Sequence, residues 1–311
     1  MNNITLLQLW QRLAATLVLL TGLIFAPSAY AGVGMLGGGE SLYNSDLGIS
    51  GGNTIWDGTR QRNLSGCKRR NASLIQGYEY GYSYFYTLFA SATIAYRKCG
   101  EINRSMRVNR VTGKITPAQS TLGGRAQGLG DVSIGMRARL NHANTAAWEV
   151  SMIIPTGYDG TSPASLGRGA LGMSVGLRFA SDGKVNKKSS WAWNLGSKFN
   201  FFFASKGNSI ASFASLSYAF TETNFEQTGN FVSLRLSNSV AMANNGVQQQ
   251  LFYNQVPSSL TSSDITALTL GYSHAFPDGW STNLRVGKGL FGRSSPIDYN
   301  AGWGVSYRWE D

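Results

Sequence analysis

The stretch Gly128–Gly157, GLGDVSIGMRARLNHANTAAWEVSMIIPTG, separates by parity into two unlike surfaces. Val132, Ile134, Met136, Ala138 and Leu140 form one set, and Asp131, Ser133, Gly135, Arg137 and Arg139 form the other. Successive side chains of a strand point to opposite faces, so this is a strand with one apolar and one polar face. After the polar turn Asn141–Asn144, Trp148, Val150, Met152 and Ile154 resume the apolar set, while Glu149 and Ser151 hold the other. The result is a hairpin. Its apolar face would be the core of a soluble sandwich or, in an outer membrane, a surface turned to lipid.

The alternation recurs along the chain. Residues 69–80 and 85–97 flank the tyrosine-rich bend Tyr80–Tyr84. Leu171, Met173, Val175, Leu177 and Phe179 alternate with Gly172, Ser174, Gly176 and Arg178. Residues 191–204 and 209–220 form another pair, and Val232, Leu234 and Leu236 alternate with Ser233, Arg235 and Ser237. Ile265–Phe276, Trp280–Phe291 and Asp298–Trp309 come last, with Pro277-Asp278-Gly279 as a tight turn. Outer-membrane barrels begin and end in the periplasm, with short turns there and longer loops outside. Taking Tyr80–Tyr84, Asn141–Thr145, Ser181–Ser189, Thr221–Asn224 and Pro277–Gly279 as the short turns predicts about twelve strands. Leu47–Trp56 supplies the first, within a glycine-rich segment 32–66 that either joins the wall or folds inside as a plug. Residues 67–311 form the barrel. Glu101–Gln127 reads as a long basic loop, and Asn238–Asp264 as a long outer loop or strand extension.

Composition decides between sandwich and membrane barrel. Residues 1–31 carry Arg12, the apolar run Leu13–Phe25 and the small-x-small pattern Ala29-Tyr30-Ala31, which predicts a signal peptide cleaved before Gly32. The run is shorter than the roughly 20 residues that a membrane anchor needs. No cysteine follows it, so a lipoprotein is not indicated. The full chain is rich in Gly (38) and aromatics (12%), poor in Pro (7) and only 14% charged, with no helical periodicity or fixed repeat. An exported all-β chain of that kind fits a closed antiparallel transmembrane β-barrel. Export also permits a disulfide. The two cysteines, Cys67 and Cys99, lie symmetrically about Ser83, so a hairpin turning there would set them opposite each other. Two unrelated thiols are the alternative.

Several segments resemble one family, the outer-membrane barrels associated with the meta-pathway of phenol degradation. They are Glu79-Tyr80-Gly81, Gly128-Leu129-Gly130-Asp131 with its strand, Pro155-Thr156-Gly157, Gly287-Lys288-Gly289-Leu290, and Asp298-Tyr299 leading to Gly304–Trp309. The likeness spans roughly Ala72 to Trp309, and it implies a channel for small, often aromatic, compounds. Such barrels usually end on an aromatic residue recognised by the assembly machinery. Here Glu310 and Asp311 follow Trp309.

By parity the polar faces collect Arg137, Arg139, Arg178, Lys198, Arg235, Arg285 and Arg308, with Asp131 and Glu149 as the acidic minority. Charges facing lipid near the midplane cost about 2–4 kcal/mol each, which turns these side chains inward. A basic lumen favours anions. The alternative is that the cations pair with the acids as interior struts. The net charge of +11 is spread over alternating strands of an exported chain, which argues against nucleic acid. Arg104, Arg107 and Arg110 would instead meet solvent, or phosphates of lipopolysaccharide outside the bilayer. Only His142 and His274 could serve as a catalytic base, and neither has an evident nucleophile and acid beside it. No zinc or phosphate-loop motif is present, and no cofactor is expected. Trp191, Trp193, Trp280, Trp303 and Trp309 suit the aromatic girdles at the two interfaces. Passage of small solutes is the leading function. A plugged structural or surface-interaction barrel, or a lipid-modifying enzyme, are the other classes.

Overall fold

The computed structural model describes residues 35–56, 59–101, 106–108, 115–117, 124–156, 170–186, 189–203, 208–220, 229–241, 264–293 and 295–310. The signal peptide expected at 1–31 lies outside them, as do Arg104 and Arg110. The wall strands are β1 (Glu40–Trp56), β2 (Arg62–Gly81), β3 (Tyr86–Glu101), β6 (Gly124–Arg139), β7 (Ala146–Ile154) and β8 (Gly172–Asn186). They continue as β9 (Ser189–Phe202), β10 (Ser209–Ala219), β11 (Gly229–Ala241), β12 (Asp264–Ala275), β13 (Trp280–Arg293) and β14 (Ser295–Glu310). All twelve pair antiparallel with their sequence neighbours in the wall, and β1 pairs with β14 to close the barrel. Two further short strands, β4 (Met106–Val108) and β5 (Ile115–Pro117), make a separate ribbon between β3 and β6. The expected all-β closed barrel is thus what the chain forms.

Strand identity follows the parity pattern. Leu216, Leu234 and Leu270 stand directly opposite one another across β10, β11 and β12, and all three face outward, 54%, 47% and 50% exposed. Their chain neighbours Ser215, Ser217 and Ser233 line an internal cavity. Outward aromatics gather at both rims: Trp280 packs beside Tyr307 and Tyr307 beside Trp309 at the rim of short turns, and Phe201 meets Phe203 at the opposite one. Glu40 and Glu310 are paired at the rim of short turns, so the first wall strand begins and the last ends on that side.

Four expectations change. Residues 40–56 are a wall strand, so the barrel begins at Glu40 and not at Cys67. The basic segment Ser181–Ser189 is mostly wall: β8 and β9 continue through it, pairing Gly183 with Trp191 and Asn186 with Ser189. Within it Gly183 packs so close to Trp191 that a Cβ would lie 2.7 Å from the indole Nε1. The loop Glu101–Gln127 is shorter than expected, because β6 begins at Gly124. Finally, Cys99 lies opposite Arg69 and Cys67 opposite Glu101, so the cysteines are diagonal neighbours and not a directly opposed pair. Ser83 and Tyr86 exchange backbone hydrogen bonds of 3.3 Å, which moves the bend past Ser83. The two cysteine side chains are outside the described ones. The segment 238–264 adds no wall strand, since β11 pairs directly with β12.

The β12–β13 turn rests on Gly279, whose φ of +85° belongs to the left-handed region. Its carbonyl accepts the Arg308 N–H at 3.0 Å, and a Cβ there would lie 2.2 Å from the Arg308 carbonyl oxygen. Gly279→Ala combines strain with a backbone clash and is expected to cost about 1–3 kcal/mol in urea unfolding from micelles.

Candidate functional site

The interior polar groups divide into two halves. On the β2–β8 side the centre is Glu149, whose side chain is 2% exposed. It accepts from Arg137 Nε at 3.3 Å, contacts Arg178 Nη2 at 2.9 Å and pairs with Lys198 Nζ. Arg137, 4% exposed, also reaches Glu79 at 3.2 Å and lies 5.5 Å from the Phe89 ring centroid. β6, β7, β8 and β9 supply these groups because Arg137 pairs in register with Glu149, Glu149 with Gly176, and Gly176 with Lys198. A buried carboxylate ringed by three cations is satisfied as a unit, and losing any one member leaves the others exposed to the low-dielectric interior.

The periplasmic mouth of this half is narrowed by residues that precede β1. Met35 packs on Ala147 and Ala180. The Leu36 N–H donates to Thr87 Oγ1 at 3.1 Å, and its carbonyl accepts from Arg139 Nη2 at 3.3 Å. The Arg139 guanidinium lies 4.0 Å from the Tyr84 ring centroid.

The β8–β12 half carries two cavities. A cavity of about 340 Å³ is lined by Lys198, Phe213, Arg235 and Ser237 among others. A second, of about 350 Å³, is lined by Asn194, Ser215, Ser217 and Ser233, the next inward positions along the same strands. Arg235 lines the first cavity, and Ser215, opposite it in register on β10, lines the second. Arg235 lies 4.2 Å from the Phe213 ring centroid and has no carboxylate partner among the described residues.

The sequence-derived set is therefore split by the structure. Arg137, Arg178, Lys198 and Glu149 come together in one cluster. Arg285 pairs with both oxygens of Asp46, and Arg308 bonds Glu40 at 2.6 and 2.7 Å. Asp131 sits apart, at the bulge where β3 slips against β6. Asp46, Glu79, Glu40 and the Arg69–Asp298 pair at 2.8 Å were not anticipated, because their partners lie 58 to 268 residues away. Arg285 and Asp46 join β13 to β1 across β14. A double-mutant cycle of Asp46→Asn with Arg285→Gln is expected to give a coupling of about 1 kcal/mol, modest because both side chains remain partly wet. His142 packs on Tyr84 and Phe85 in the β6–β7 turn; His274 bonds Asn230 at 2.9 Å and stacks edge-on with Phe276.

No protein-family model matches the chain, and no curated protein does so. Among solved structures it is similar to the COG4313 outer membrane channel from Pseudomonas putida F1, with 14% identity over 92% of this chain and 100% of that one, TM-score 0.61. The chain has the fold of an outer-membrane barrel. The translocator domain of autotransporter NalP from Neisseria meningitidis (12% identity, 89% of this chain and 91% of that one, TM-score 0.47) is a looser likeness. So is a deletion mutant of the TodX monoaromatic hydrocarbon channel (12% identity, 93% and 94%, TM-score 0.39). In this barrel fold the apolar outward band faces lipid and the charged cluster faces the lumen.

Proposed function

We propose that this barrel is a passive outer-membrane channel for small solutes, favouring anionic aromatic compounds. The observation that carries the reading is Arg235, a cation without a carboxylate partner among the described residues, set over Phe213 in the wall of an internal cavity. A guanidinium takes a carboxylate in paired hydrogen bonds, and the adjacent ring offers an edge or face to an aromatic solute. Lys198 and Arg178 line the same cavity, so an entering anion meets a positive wall. The fold likeness to an outer membrane channel and the resemblance to the phenol meta-pathway barrels support the same direction.

Proteoliposomes test this with three solutes of one shape: benzoate, benzyl alcohol and benzylamine. The reading expects benzoate to enter fastest and benzylamine slowest, with Arg235→Gln erasing most of the difference. Equal entry of all three would overturn the anion preference.

A second reading has its own support. Met35 and Leu36 turn inward, and the Glu79–Arg137–Glu149 cluster occupies the same half of the lumen. In a plugged structural or interaction barrel these groups are struts and the outer loops do the binding. That reading expects no solute entry above protein-free vesicles.

A further inference from the structure

The outward face carries a row of cations that the lumen does not explain. Arg70 on β2 stands directly opposite Lys98 on β3, and Lys98 directly opposite Arg125 on β6. All three are exposed, as is Lys68, the next outward residue on β2. Their parity places them outside the wall. On β3, Lys98 continues the outward series Leu88, Ile94 and Tyr96, whereas the inward neighbour Ala95 is 4% exposed. On β2, the inward neighbour Arg69 pairs instead with Asp298.

Like charges directly opposite across strands repel, with side chains about 5 Å apart at Cβ. A sheet carrying three in one row needs an anion from elsewhere. Among the described residues, no aspartate or glutamate pairs with Arg70, Lys98 or Arg125. The nearest aid is Gln127, whose Oε1 accepts from Arg125 Nη2 at 2.8 Å, and Tyr96, whose ring centroid lies 5.2 Å from the Arg125 guanidinium.

Height fixes the occupant. A strand tilted near 40° climbs about 2.5 Å per residue, which puts the three cations about 27–35 Å above the periplasmic ends of their strands. The lipid-facing apolar band of such barrels is about 25 Å tall. Below the cations run Tyr78 and Leu74 on β2, Ile94 and Tyr96 on β3, and Ile134 and Leu129 on β6. The cations therefore top an apolar wall at the level of the outer head groups, with Tyr96 beneath them as an interfacial aromatic. Acyl chains would lie on the wall and phosphates would reach the row.

We propose that Arg70, Lys98 and Arg125 form a binding site for the phosphates of an outer-leaflet glycolipid of the lipid A type. The site takes a phosphorylated lipid because the charges sit in line above an apolar wall. A free anion would gain the charges but not the wall.

The test uses the full folded protein in detergent, with retained lipid A measured by native mass spectrometry. Three probes are added: bisphosphorylated lipid A, lipid A stripped of phosphate, and inorganic phosphate. The proposal expects bisphosphorylated lipid A to be retained at least tenfold better than the stripped form. It also expects millimolar inorganic phosphate not to displace it. The triple variant Arg70→Gln, Lys98→Gln, Arg125→Gln should lose that retention while keeping heat-modifiable migration on gels. Should the triple variant not fold, the wild-type comparison of the two lipids decides alone. Equal retention of stripped and phosphorylated lipid would overturn the proposal, as would displacement by inorganic phosphate, or undiminished retention by the folded triple variant.

Discussion

Glu149→Gln is expected to destabilise the barrel by about 3–5 kcal/mol, the cost of removing one partner from a buried charge cluster. The substitution preserves shape and leaves Arg137, Arg178 and Lys198 around a neutral amide. Arg137 keeps Glu79, but Arg178 and Lys198 have no other carboxylate within an ion-pair distance among the described residues. Their mutual repulsion then acts inside the wall, where water screens poorly. Reversible urea unfolding in micelles, followed by tryptophan fluorescence, measures the loss. A second substitution, Arg178→Gln, should recover part of it, because one of the unpaired charges goes too. Without such recovery the loss would have to be assigned to packing of the amide and not to charge.

Leu234→Arg is the second large effect, at about 2–4 kcal/mol, and it tests the orientation of every strand at once. Leu234 faces outward between Leu216 and Leu270, near the middle of the apolar band. A guanidinium there must leave water for hydrocarbon. Ser217→Arg, in the cavity wall, should cost far less, since a charge at that position stays in the hydrated lumen. The contrast is measured by folding into vesicles across a urea series. Reversed costs would mean that the faces have been assigned the wrong way round.

The architecture was legible because each strand carries its own signature. In β6 and β7 the alternation of Val132, Ile134 and Met136 with Ser133, Gly135 and Arg137 is local, and so is the turn that joins them. β1 was weaker: Gly48, Ser50, Gly51 and Gly52 dilute the alternation of Leu47 and Ile49, so wall and plug could not be separated. The segment Ser181–Ser189 departs from a turn for a physical reason: at Gly183 the missing Cβ makes room for the Trp191 indole rather than for a reversal of the chain. The inward direction of Arg137, Arg178, Lys198 and Arg235 could be read from parity alone. Which acid each would meet could not. Arg285 meets Asp46 only after the barrel closes, 239 residues apart in sequence. The distinction between struts and an unpaired cation is therefore a property of closure, and among the described residues Arg235 is a cavity-lining cation that no carboxylate pairs.

The outward cations illustrate the same point. Lys98 and Arg125 sit in segments that read as the end of a strand and the end of a loop, and nothing local aligns them. The alignment comes from the bulge between Ala92 and Ile94, which shifts β6 so that Arg125 falls opposite Lys98.

The most direct test of the central claim is the reversal potential of single channels in a planar bilayer under a salt gradient, for the wild type and Arg235→Gln. The account predicts an anion-selective current in the wild type and a clear shift towards zero selectivity in the variant at unchanged folding. A silent wild-type barrel, or a selectivity that Arg235→Gln leaves untouched, would contradict it.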